Sequence, residues 1–405
     1  MIVDYDDDLH EIQHMSQRIA RLPRELRIEW TLNPVTRSGA VFLWGPRQTG
    51  KTTLLHEQFP GARFYDLLDT SLAAELSVLP RTLREQTLAD HPEVVVIDEI
   101  QKIPELLEEV HWLLENTPTR FVLCGSSARK LRRKARNLLG GRGTEFHLLP
   151  LTTQEIQDPD LLRLFNHGGL PVHYLVDDPE PLLRAYVNAY IKQEIIDAAA
   201  TRNVPAFARF LQVVGLTHGQ LLNYANVARE TGVSAATVRN YFHILEDTLL
   251  GFTLEPWRVV KKRRLIETAK FYLFDIGVAN HLNAESGRIT AGSDLYGRAF
   301  EHFLLNEVRA FLAYRRQERS LTFWRTSSGY EVDLIVGRLE LALEFQAAKR
   351  VRDVALRGMR ALRQEHRLGR MLVVCQEPLR RTTEDRIEIL PWQIFCKMLW
   401  CGELL

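Results

Sequence analysis

The chain has 405 residues, 45% of them hydrophobic and 25% charged, and its 52 Lys and Arg against 51 Asp and Glu leave a net charge of +1. That length allows two or three domains, and the balance is that of a globular protein, not of a disordered or collagen-like one. No apolar run reaches the ~18 residues of a membrane span. The acidic start MIVDYDDDLHEIQHMSQRIARL lacks the basic and apolar segments of a secretory signal, so no membrane association and a cytoplasmic location are expected.

The near-neutral total hides two basic patches, RKLRRKARNLLGGR (Arg129–Arg142) and KKRR (Lys261–Arg264). Cys124, Cys375, Cys396 and Cys401 are scattered in mostly apolar surroundings, which predicts reduced thiols and no disulfide framework. Cys396 and Cys401 have a metal-like gap, but no second ligand pair accompanies them.

In chain order, residues 1 to about 37 read as a helical lead-in. AVFLWGPRQTGKTTLL then switches to an apolar strand, a glycine loop and a helix. Apolar strands ARFYDL, EVVVIDEI and RFVLCGSS follow, separated by helical runs, which predicts a parallel sheet covered on both faces. This first α/β domain spans 1–157. Residues 158–290 are mostly helical, and residues 291–405 pair the helix GRAFEHFLLNEVRAFLAYR with strands SLTFWRT, EVDLIVG, LALEFQ and RMLVVCQ in a second α/β unit.

GPRQTGKT matches G-x-x-x-x-G-K-[ST] at Gly45, Gly50, Lys51 and Thr52, between a strand and a helix as the motif requires. Glycines at those places let backbone N–H groups approach phosphate oxygens at a helix N-terminus, so Gly45, Pro46, Arg47, Gln48, Thr49, Gly50, Lys51, Thr52 and Thr53 are the expected cradle for ATP. Lys51 is placed to reach the β- and γ-phosphates, and Thr52 to take a Mg²⁺ position. VVVIDE ends a strand in Asp98, expected in the same Mg²⁺ shell, and Glu99, expected to polarise the attacking water. LCGSS brings Ser126 or Ser127 beside them, to sense the γ-phosphate or merely to cap a helix. Arg142 is a candidate arginine finger for a neighbouring subunit, or else a solvated or nucleic-acid-facing residue.

WGPRQTGKTTLL, VVVIDEIQKIPELLEEV, LCGSSARKLRR and NLLGGRGTEFHLLPLTTQEI together resemble the bacterial and archaeal AAA-family ATPases whose C-terminal half is a DUF4143 region. The likeness implies an AAA+ type P-loop core, ATP hydrolysis with Mg²⁺, and a homo-oligomer, conceivably a ring.

NYANVARETGVSAATVRNYFHILEDTLL reads as helix-turn-helix, with Gly232 at the turn, Ser234 capping the second helix and Val227, Val233, Val238 and Tyr241 inside. Ala235, Thr237, Arg239, Asn240 and His243 then face outward as candidate DNA contacts, and Lys261, Lys262, Arg263 and Arg264 sit at the tip of a wing. The alternative is a winged-helix region used only for protein contact.

In EVDLIVGRLELALEFQ a tight link sets Asp333 and Glu344 on neighbouring strands, and Glu301 on the preceding helix can complete an acidic cluster around one Mg²⁺. This tail resembles the PD-(D/E)xK nuclease fold, except that Gln346 stands where the likeness implies a lysine. Three functions are therefore open: an ATP-driven remodeller acting on DNA, an ATP-gated nuclease, and a signalling ATPase with protein partners.

Overall fold

The computed structural model of the chain describes residues 22–126, 143–191, 203–257, 268–283 and 287–405. Residues 1–21 of the expected helical lead-in lie outside the described residues; its described part, 23–33, forms no helix, with Arg24, Leu26 and Ile28 buried and Arg27 and Glu29 exposed. Alternation of that kind has a period of two, which an extended chain satisfies and a helix does not. Gln58 pairs with the segment from the side, accepting from Ile28 N at 3.0 Å and donating to Leu26 O at 2.7 Å.

Strands β1 (Gly39–Trp44), β2 (Arg63–Asp66), β3 (Val94–Asp98), β4 (Arg120–Gly125) and β5 (Gly143–His147) form a parallel sheet in the order β2-β3-β4-β1-β5. β1 and β3 are buried at every position, as continuous apolar strands must be when helices cover both faces. Helix α1 (Lys51–Gln58) leaves the loop after β1, and α2 (Leu106–Asn116) packs Leu106, Leu107, Val110, Leu113 and Leu114 into the core on one face. Because β4 lies between β1 and β3, the phosphate loop, Ser126 and Asp98 emerge side by side at one edge.

In the middle region α3 (Val204–Leu216), α4 (Tyr224–Thr231) and α5 (Ala235–Asp247) share a core in which Phe207, Phe210, Val227, Val238 and Tyr241 are buried. Gly232 adopts φ 71° to end α4, a backbone state that favours glycine, and Ser234 caps α5 by accepting from Thr237 N at 3.1 Å. The expected helix-turn-helix geometry is thus present. Antiparallel strands β6 (Gly251–Pro256) and β7 (Lys270–Leu273) follow, and Leu221 bridges to Lys270 beside them.

Those two strands pack on the helices through Phe271 and Leu273 and also join a second sheet. β6 pairs with β8 (Leu321–Arg325), which joins them to β9 (Glu331–Val336), β10 (Leu341–Gln346), β11 (Arg370–Cys375), β12 (Arg381–Thr382) and β13 (Glu388–Pro391) in one sheet ordered β12-β13-β11-β10-β9-β8-β6-β7. Helices α6 (Asp294–Tyr314) and α8 (Trp392–Trp400) pack on one face and α7 (Arg357–Glu365) on the other. One apolar core runs from Leu26, Val41 and Leu54 through Phe165 to Phe303, Leu343 and Leu372, so the first and last α/β units are packed together.

A histidine pair closes the joint between the middle helices and α6. His218 Nδ1 accepts from Leu273 N at 3.1 Å, which leaves its Nε2 as the donor to His302 Nδ1 at 3.0 Å. Burial holds both imidazoles far below 6.5, His218 at about 3. A base whose folded pKa is depressed leaves stability intact above 6.5 and removes it as pH falls below that value. Urea unfolding is therefore expected to give a lower midpoint at pH 5 than at pH 7, and His302→Gln is expected to shrink the difference.

Candidate nucleotide site and carboxylate pocket

The phosphate loop is shaped for an anion before one arrives. Gly50 takes φ 85° at the N-terminus of α1, and a Cβ at Gly45 would lie 2.5 Å from Leu148 O, so neither glycine admits a side chain without strain. Lys51 is buried, and its Nζ donates to Gly45 O at 2.9 Å and Pro46 O at 3.0 Å, which folds the ammonium over the loop. Thr52 Oγ1 donates to Asp98 Oδ2 at 2.6 Å. A hydroxyl and a carboxylate held in contact are hard oxygen donors of the kind Mg²⁺ takes, so Thr52 and Asp98 fit the expected ion together with phosphate oxygens. When bound, Mg²⁺ neutralises charge on the β- and γ-phosphates.

Glu99 stands next, at φ 57°, a strained conformation for a residue with a side chain. Its N–H donates to Asp98 Oδ1 at 2.9 Å, and its Oε2 accepts from Ser126 Oγ at 3.3 Å and from Gln101 Nε2. Gln101 Nε2 also reaches Ser126 Oγ at 3.2 Å. The structure therefore brings Lys51, Thr52, Asp98, Glu99 and Ser126 together and adds Gln101, whose only sequence signal is its place two residues beyond Glu99. Ser127 and Arg142 lie outside the described residues.

The strand end leaves room for this cluster through Gly125: a Cβ there would sit 2.2 Å from Gln101 Oε1 and 3.2 Å from Trp44 Cζ3. Gly125→Ala is expected to push Gln101 off Glu99 and to lower ATP turnover roughly tenfold, the worth of one hydrogen bond to a charged group. Circular dichroism should show the fold retained, since the clash is with the end of a side chain.

On α5, Arg239, Asn240 and His243 are exposed, as expected for a groove-facing helix. Arg239 lies over the Tyr224 ring at 5.1 Å and His243 is 3.3 Å from Glu246. Thr237 differs: its hydroxyl is 2.9 Å from Ser234 Oγ, so it belongs to the helix cap and is half-buried. Lys261, Lys262, Arg263 and Arg264 lie outside the described residues.

In the C-terminal sheet Glu301, Asp333 and Glu344 do converge, with Glu331 beside them. Asp333 Oδ2 accepts from Phe345 N at 2.7 Å, and Gln346 Nε2 donates to Glu344 Oε1 at 3.0 Å, leaving Glu344 Oε2 without a partner among the described residues. Loss of hydration pushes the Asp333 and Glu344 carboxyls up, helped by Glu301 at the first and by Asp333 at the second. Beside Arg325 of the tail, this pocket holds a cation from outside it. Lys270, on β7, sets Nζ 3.1 Å from Glu301 Oε1 and 2.8 Å from Glu331 Oε1, while Tyr272 OH donates to Glu301 Oε1 at 2.5 Å. Sequence reading looked for a lysine near position 346 and could not see that β7 pairs into the same sheet. Among the described residues no group of three or more His, Cys, Asp or Glu side chains is arranged to hold a metal ion, so the single-Mg²⁺ cluster expected of Glu301, Asp333 and Glu344 is not formed.

Comparison with known proteins divides the chain in three. Residues 37–157 match an AAA domain, 158–288 a domain of unknown function (DUF8612) and 296–395 a domain of unknown function (DUF4143). An uncharacterized protein of Mycobacterium tuberculosis is 27% identical over 395 residues, covering 94% of this chain and 87% of its own length. One from Haemophilus influenzae is 24% identical over 211 residues, covering 47% and 53%. Among solved structures, the Aeropyrum pernix ORC1 protein in complex with DNA is 14% identical and covers 68% of this chain and 92% of that chain, at a TM-score of 0.27. A signal transduction ATPase with numerous domains from Pyrococcus horikoshii is 14% identical and covers 74% and 49%, at 0.21; scores that low bear on no ligand. No described helix is long and apolar enough to cross a membrane. By similarity, then, an AAA domain over residues 37–157 is followed by a DUF8612 and a DUF4143 domain.

Proposed function

We propose that the chain hydrolyses Mg·ATP and uses the cycle to remodel DNA, gripping it through α4 and α5. The observation that carries the reading is one edge of one sheet. There Lys51, the Thr52–Asp98 pair at 2.6 Å and a Glu99 carboxylate held by Ser126 and Gln101 stand together. Lys51 binds phosphate, Asp98 and Thr52 bind the ion, and Glu99 accepts the proton of the attacking water. The exposed Arg239 and Asn240 of α5 support the DNA half, since a capped helix with outward polar side chains is the form that enters a groove. Homo-oligomeric assembly belongs to the same proposal and is read by mass measurement with and without ATP.

The experiment is ATP turnover against linear, forked and four-way DNA, with Lys51→Ala as the blank. Stimulation by at least one DNA form, weakening with salt, supports the reading. A rate above the blank but flat across the panel removes the DNA half and favours a signalling ATPase with protein partners. Protein donors already occupy Glu301, Asp333 and one oxygen of Glu344, which argues against the ATP-gated nuclease.

A further inference from the structure

The outer side of the phosphate loop is held by a buried arginine 25 residues upstream. Arg24, 5% exposed, donates from Nη1 to Thr49 O, from Nε to Glu155 Oε1 at 2.9 Å and from Nη2 to Leu149 O at 2.6 Å and Tyr314 OH at 3.1 Å. A peptide unit points its C=O and N–H in opposite directions. Pinning the Thr49 carbonyl on the outside therefore fixes the Gly50 N–H on the inside, where a phosphate would lie.

Two of the other partners of Arg24 lead to the C-terminal domain, Tyr314 directly and Leu149 through its own bond to Tyr314. Tyr314 closes α6, and its hydroxyl also accepts from Leu149 N at 3.2 Å. Two turns earlier on the same helix, Glu307 accepts from Thr153 N and Thr153 Oγ1, both at 2.8 Å, and from Trp400 Nε1 at 2.8 Å. Just beyond those two grips Glu155, 2% exposed, accepts from Thr152 N at 2.9 Å and Glu25 N at 2.7 Å as well as from Arg24. The segment 149–153 is thus clamped to α6 at both ends, and Arg24 carries its position to Thr49.

Resting on the ATP-binding reading above, we infer that Arg24 is a positioning residue for the phosphate loop and that Tyr314 ties it to the C-terminal domain, so that nucleotide affinity depends on where α6 sits. By linkage, nucleotide then biases α6 by the same factor. Arginine is the residue for this work because its planar fork serves three directions at once, and lysine cannot replace it.

The test compares the full-length parent, Arg24→Lys and Tyr314→Phe, with Lys51→Ala as reference, by titration with a fluorescent ATP analogue and by steady-state turnover. Arg24→Lys is expected to weaken nucleotide binding by about tenfold or more and Tyr314→Phe by about two- to tenfold, the usual worth of such bonds. In both, KM should rise more than kcat falls, and the melting temperature of Tyr314→Phe should stay within a few degrees of the parent. Affinities equal to the parent in both variants overturn the inference, as does a Tyr314→Phe variant that loses melting temperature and leaves affinity and KM untouched. Should Arg24→Lys not fold, Tyr314→Phe decides, because it removes one hydroxyl. A parent that binds the analogue and turns over no faster than Lys51→Ala sinks the hydrolysis proposal while the titration still decides this one; a parent that binds none overturns both.

Discussion

Glu99→Gln is expected to cut ATP turnover by at least about 100-fold while leaving nucleotide affinity within a few-fold of the parent, the signature of removing a group that handles a proton in the transition state. The carboxylate is not held by the phosphate loop. Its Oε2 accepts from Ser126 and Gln101, which emerge from β4 and the turn after β3, and its own N–H is spent on Asp98. Glutamine keeps the size and one acceptor, so the cluster survives and only the base is lost. Phosphate release measured beside titration with a fluorescent ATP analogue separates the two effects. Equal losses of binding and turnover would instead assign Glu99 to shaping the loop, and unchanged turnover would move the base elsewhere in the pocket.

The nucleotide half of the molecule was legible because its signals are local. GPRQTGKT and VVVIDE each need only a strand, a turn and a few side chains, and parallel pairing then sets Asp98 and Thr52 in contact without further information. Gln101 escaped notice because nothing in a lone glutamine says that Gly125 leaves it room. The last part of the lead-in, residues 23–33, was misread for a different reason: its charged residues suggested an amphiphilic helix, whereas the alternating burial of Arg24, Leu26 and Ile28 answers to contacts with Gln58, Glu155 and Tyr314, far along the chain. Thr237 shows the limit in miniature, since an outward residue near a cap spends its hydroxyl on Ser234. The tail was half legible. Alternation placed Asp333 and Glu344 correctly on neighbouring strands, but the lysine beside them depended on β6 and β7 joining the C-terminal sheet as well as the helical core.

Lys270→Met is expected to be the most destabilising single change in the C-terminal sheet, costing about 3–5 kcal/mol, the range for removing one partner of a buried charge set. The ammonium is 4% exposed, lies 5.3 Å from the centre of the Phe323 ring and spans Glu301 and Glu331. Burial alone would pull its pKa down, yet Glu301, with Tyr272, Asp333 and Glu331 behind it, holds it well above the ordinary lysine value. Without it Arg325, 3.2 Å from Glu331 Oε2, is the cation left on these acids among the described residues, and Asp333, already pushed up, goes higher. The sign of the pH dependence follows. Carboxyls raised in the folded state cost stability when ionised, so the gap between parent and Lys270→Met should be widest at high pH and should close as pH falls and they take up protons. Urea unfolding of both chains across about pH 5 to pH 9 measures that gap. A gap that stays constant would mean that the loss comes from altered packing on Phe323 and not from the charge. The same geometry bears on position 346: Lys270 is engaged on Glu301 and Glu331 while Gln346 faces Glu344, so the new ammonium of Gln346→Lys should pair with Glu344 and produce no metal-dependent cleavage of DNA.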